Sequence, residues 1–119
     1  MQYLCLVYFE PDIFERMSDQ EKKTLDRDSL AYDRQLKASG HYLHSNALES
    51  VDKAMTVRVR NEKMSSTDGP FAETKEHLGG FILIEAGDME EAKQIAAGIP
   101  LARLGSIEVR PIYDIPTWE

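Results

Sequence analysis

The sequence predicts an α+β domain in which two helices lie on one face of a β-sheet, and three observations carry the prediction. Two runs, Gln2 to Phe9 and Gly79 to Ala86, are apolar almost throughout and of strand length. Two amphipathic stretches each open on a capping-box spacing, Ser18 with Glu21 and Asp88 with Glu91. Two further segments have the alternation of a half-buried strand. In one, Met55, Val57 and Val59 alternate with Thr56, Arg58 and Arg60; in the other, Ile107, Val109, Pro111 and Tyr113 alternate with Glu108 and Arg110.

In chain order, the first strand gives way to a loop or helical turn over Pro11 to Met17. The first helix then runs from the Ser18 cap to about Ser39, with Leu25, Tyr32 and Leu36 on its inner face and Ser29 and Ala31 at its margins. Gly40 ends it, because glycine takes the left-handed conformation that a helix stop requires. His41 to Leu48 is extended, anchored by Tyr42, Leu43 and Leu48. Asn61-Glu62 turns the Met55 to Arg60 strand back into Lys63 to Thr67, so that Val59 faces Met64 and Arg58, Arg60, Lys63 and Ser65 share the other face. Glu resists the positive φ of a two-residue turn, which argues for a longer connection there. Asp68-Gly69-Pro70-Phe71 is a turn on local chemistry: Asp accepts backbone hydrogen bonds, Gly admits positive φ and Pro stops pairing. The second helix puts Met89, Ala92, Ile95 and Ala96 on one stripe and stops at Gly98 and Pro100. The resulting order, strand–helix–strand–hairpin–strand–helix–strand, is a ferredoxin-like βαββαβ sandwich with an extra hairpin.

One domain spanning 1–119 suits this length. Apolar residues make up 42% and charged residues 29%, a globular composition. The net charge of −7 argues against nucleic acid and against an anionic membrane surface as partners. No stretch has the length and apolarity of a membrane helix, no leader pattern opens the chain, and the lone Cys5 reads as a buried, inert thiol, so a cytoplasmic location is expected.

The two uninterrupted apolar strands want burial on both faces, yet the helices cover only one. The chain holds no further element to cover the other. A second copy, packed sheet to sheet, is the simplest cover and predicts a homodimer.

The stretch Thr67-Asp68-Gly69-Pro70-Phe71-Ala72-Glu73-Thr74-Lys75-Glu76, followed by Leu78-Gly79-Gly80-Phe81, resembles the signature of DGPF-type proteins of the YCII-related superfamily. The strands Thr56 to Arg60 and Ser106 to Ile112 are similar to that family too. The resemblance implies a dimeric α/β barrel and a bacterial family often linked with extracytoplasmic-function sigma factors. More distant YCII relatives include a dehydrochlorinase, and a histidine–aspartate pair has been proposed as their active site. Counting back from Gly40 puts that histidine near Ser29, and no histidine precedes His41, so the pair does not carry over.

Candidate chemistry gathers at Asp68, Glu73, Lys75, Glu76 and His77. Asp68 either forms the turn alone or lines a pocket. In the second case Asp68 and Glu73 supply acid–base catalysis, with Phe71, Lys75, His41 and Arg110 binding the ligand. His41 and His44 fall on opposite strand faces, which speaks against a metal pair, and no cofactor motif occurs. Two functions follow: a dimer that binds or transforms a small organic molecule in an apolar pocket between sheet and helices, closed by the Asp68 to Glu76 loop; or a non-catalytic ligand-binding or accessory dimer linked to sigma-factor regulation.

Overall fold

A computed structural model describes residues 1–118. Its elements are β1 (Gln2–Phe9), α1 (Asp19–Ala38), β2 (Tyr42–Ala47), β3 (Met55–Arg60), β4 (Lys63–Asp68), β5 (His77–Glu85), α2 (Met89–Ala97) and β6 (Ser106–Pro111). Single tight helical turns at Val51–Lys53 and Pro100–Arg103 join them. The main sheet has the order β2-β5-β1-β6, antiparallel throughout. β1 and β2 therefore run parallel on either side of β5, and α1 carries the chain between them. This is the ferredoxin-like arrangement, and the β3–β4 hairpin stands apart as its own two-stranded sheet.

Local chemistry sets the helix ends. Ser18 Oγ accepts from the Glu21 backbone N–H at 3.1 Å, and Glu21 Oε1 accepts from the Ser18 N–H at 3.0 Å, closing the capping box. Asp88 caps Glu91 in the same way at 2.9 Å, but the Glu91 carboxylate reaches one residue further back, to the Gly87 N–H at 2.8 Å. Gly40, at φ 81°, ends α1 while the His41 N–H donates to Leu36 O at 2.9 Å.

The core lies between the helices and one sheet face. Tyr3, Cys5, Ile82 and Ile84 meet Leu36 of α1, Ala92, Ile95 and Ala96 of α2, and Ile99 just beyond. The alanines bring α2 close to the sheet. Tyr32 ties the helices together, its hydroxyl donating to Ile95 O at 2.7 Å. Gly98 has no room for a Cβ against that hydroxyl, which explains the glycine although its φ is an ordinary −83°.

The opposite sheet face carries Leu4, Leu6 and Tyr8 of β1 and Phe81 and Leu83 of β5. They are flanked by His44 and Asn46 on β2 and by Glu108 and Arg110 on β6. No helix of the described residues lies on this face, and the fold is only 19 Å thick, a single layer of helices on a sheet.

Three details depart from the sequence expectation. The hairpin turn is the two-residue one, with Asn61 and Glu62 both at positive φ (53° and 64°), so pairing of Arg60 with Lys63 holds a glutamate in a conformation it disfavours. Met89 lies in the first turn of α2 and is exposed, unlike Ala92, Ile95 and Ala96. Tyr113 lies past the end of β6 and is exposed.

Candidate functional site

The loop that follows the hairpin is anchored at its base. The Gly69 N–H donates to Ala54 O at 2.8 Å, and Thr56 Oγ1 donates to Gly69 O at 3.0 Å, with Gly69 at φ 107°. Asp68 pairs with Met55 at the end of β4 and is exposed. With Glu73 it borders a shallow groove that also takes in Asp52 and His77. Phe71 is 82% exposed, its ring 5.7 Å from the Arg58 guanidinium. Lys75 sits in a different groove and pairs with Glu10 at 3.3 Å. His41 Nδ1 lies 2.8 Å from Glu85 O, and its own carbonyl accepts from the Glu85 N–H, so it splices the ends of β2 and β5. Arg110 pairs with Leu4 on the helix-free face. Of the six residues singled out, Asp68 and Glu73 share a groove, whereas Phe71, Lys75, His41 and Arg110 lie outside it.

A mostly apolar cavity of about 330 Å³ does lie between sheet and helix, at the small end of the range for ligand sites. Its floor is Val7, Gly79 to Ile82 and Ser45 to Ala47. Its roof is α1, through Leu25, Asp26, Ser29, Tyr32 and Asp33, and its ends are the Phe9–Phe14 pair and Ile99 to Leu101. No residue of the 68–76 loop lines it. The edge-to-face contact of Phe9 with Phe14, ring centroids 5.0 Å apart, supplies the closure that the sequence had suggested for that loop.

The cavity follows from two features of the sequence. On α1, Leu36 is buried and Tyr32 reaches α2, but one turn earlier the inward position is Ser29, too short to reach the sheet. On β5, Val7 pairs with Gly80 and Tyr8 with Leu78, which leaves Gly79 as the extra residue of a bulge. A Cβ on Gly79 would strike the Phe9 ring, and one on Gly80 would come within 2.9 Å of Asn46 O. The glycines keep the floor low and let Phe9 close the end.

Electrostatics single out Asp33. Desolvation raises its carboxyl pKa, and Lys37 one turn on pulls it partly back. Burial also raises the Tyr32 phenol, keeping it neutral. Among the described residues, no side-chain hydrogen bond or ion pair engages Asp26, Ser29 or Asp33. No three His, Cys, Asp or Glu side chains among the described residues gather as a metal site would require, and no described helix is long and apolar enough to cross a membrane. Sequence reasoning placed Ser29 at the helix margin and passed over Asp33. The available signals were a serine on the inner helix face and a Gly-Gly pair inside an apolar strand.

Fold and cavity together define a small α+β protein with a mostly apolar cavity beneath its first helix. The chain belongs to the YCII-related domain family, whose family model matches residues 1–116. An uncharacterised protein of Rhizobium meliloti is 34% identical over 114 residues, covering 94% of this chain and 92% of that one. Among solved structures, 5-chloro-2-hydroxyhydroquinone dehydrochlorinase (TftG) from Burkholderia phenoliruptrix, in complex with 2,5-dihydroxybenzoquinone, superposes with a TM-score of 0.55. It is 18% identical, and the match covers 95% of this chain and 94% of that one. At this identity the likeness establishes the shared fold.

Proposed function

We propose that the protein binds a small organic molecule in the cavity beneath α1 and acts on it by acid–base chemistry, as one half of a homodimer joined through the helix-free sheet face. The observation that carries this reading is an apolar cavity with an unpaired carboxyl, Asp33, whose pKa is raised by desolvation. A carboxyl displaced toward neutrality exchanges protons with a bound hydroxyl or carbon acid more readily than one at its ordinary value. Ser29, one turn before it, lies near where counting back from Gly40 puts the YCII histidine. Proton transfer therefore falls to Asp33, with the Ser29 hydroxyl placed to orient the ligand. Dehydrochlorination of a hydroxylated ring by the dehydrochlorinase of the same fold lends support to small-molecule chemistry here. The second reading, a binding protein without turnover, draws on that same serine, since it is no base.

Titrating the isotopically labelled protein with hydroquinone tests the site. Amide shifts are expected at Ser29 to Asp33, Ser45 to Ala47 and Gly79 to Ile82. Shifts confined to Asp68 to Glu76 would overturn it in favour of the exposed groove. Asp33→Asn then separates the two functional readings. With acid–base chemistry, turnover drops by about 100-fold or more while amide shifts persist; with binding alone, no substrate of the wild type is turned over at all.

A further inference from the structure

We propose that the cavity beneath α1 selects a compact ring carrying hydroxyl or amine hydrogen-bond donors and no anionic group; this rests on the cavity being the ligand site. Its lining contains two carboxylates, Asp26 and Asp33, and no Lys, Arg or His. Lys37, the cation that acts on Asp33, lies one turn past it, where its ammonium sits 4.7 Å from the centre of the Tyr42 ring and outside the lining.

The hydrogen-bonding inventory points the same way. The Tyr32 hydroxyl proton is committed to Ile95 O, and the Ser45 hydroxyl is paired with that of Tyr42 at 2.6 Å. The Asn46 side chain points to the helix-free face, where its amide lies 2.9 Å from His44 Nε2, so it offers the cavity no donor. What remains on the cavity wall is acceptor-rich: two carboxylates and the Ser29 hydroxyl, none engaged by a described side-chain partner. Asp26 is exposed and Ser29 and Asp33 are half-buried, so a ligand seated here shuts them off from water, and an acceptor so shut off is costly unless the ligand donates to it. A ligand hydroxyl or ammonium satisfies that need. A carboxylate or phosphate supplies only more acceptors and adds like-charge repulsion in a site of lowered dielectric. Phe9, Phe14, Leu25, Ile82 and Ile99 account for the apolar ring.

A matched trio separates the charge types on one scaffold: 3-hydroxybenzyl alcohol, 3-hydroxybenzylamine and 3-hydroxybenzoate, each titrated at neutral pH into the full labelled chain with amide shifts as readout. The alcohol and the amine are expected to move the amides of Ser29, Asp33 and Ile82, with the benzoate weaker by at least about tenfold. Combining Asp26→Asn with Asp33→Asn should narrow that gap, and the variant's own amide spectrum reports whether it folds. A benzoate that binds in the cavity as tightly as the alcohol overturns the proposed ligand class and leaves the site standing. Shifts elsewhere, or none, overturn the site and the ligand class together.

Discussion

Cys5 is fully buried at the centre of β1, and burial pushes its thiol up to about 11 from an ordinary value of 9.0. The folded state thus holds the proton more tightly than the unfolded chain does. The stabilising contribution is complete below pH 9 and is lost as pH rises toward 11, by roughly 1.4 kcal/mol per pH unit. Measured by urea unfolding, the stability lost on Cys5→Ala should therefore shrink between pH 8 and pH 10.5; a constant difference would show that the thiol does not titrate in this way. The inert role of Cys5 was legible from its place in an apolar run. Asp33 was not, because one aspartate among several on a helix rich in charges carries no mark until the fold shows which charges face inward.

At the scale of the element, helix boundaries were the most legible features, since a capping box is made of neighbours in sequence and answers to local geometry alone. The hairpin was legible in register and wrong in one detail. Glu62 was expected to lengthen the turn, but backbone pairing of the flanking residues prevails over its preference. Placing a non-glycine residue at φ 64° costs roughly 1 kcal/mol, so Glu62→Gly should strengthen the hairpin by about that amount. Hydrogen exchange is the right measurement. Protection should rise for β3 and β4 amides and stay level in β1 and β5, because the hairpin pairs only with itself. The cavity floor was partly legible in Gly79-Gly80, but its meaning depended on Phe9, seventy residues away in sequence.

At the scale of the molecule, the apolar second sheet face was anticipated from two strands that lack polar alternation, and it is where the sequence placed it. Homodimerisation through that face predicts a dimer in sedimentation at micromolar concentration. Leu83→Glu, at its centre, should weaken the dimer by about 2–3 kcal/mol, close to a hundredfold. A wild-type monomer at that concentration would remove the dimer from the proposed function. What the sequence did not reveal is that the hairpin leaves the sandwich altogether, with Met55, Val57, Val59 and Met64 all more than half exposed.

That separation has an evolutionary reading. The hairpin's strands contribute no residue to the cavity lining and no strand to the main sheet. Substitutions in its apolar stripe and substitutions around the cavity fall on separate parts of the molecule, so either can change without disturbing the other. Two parts of one short chain, the hairpin stripe and the proposed cavity site, are thus free to diversify on separate schedules.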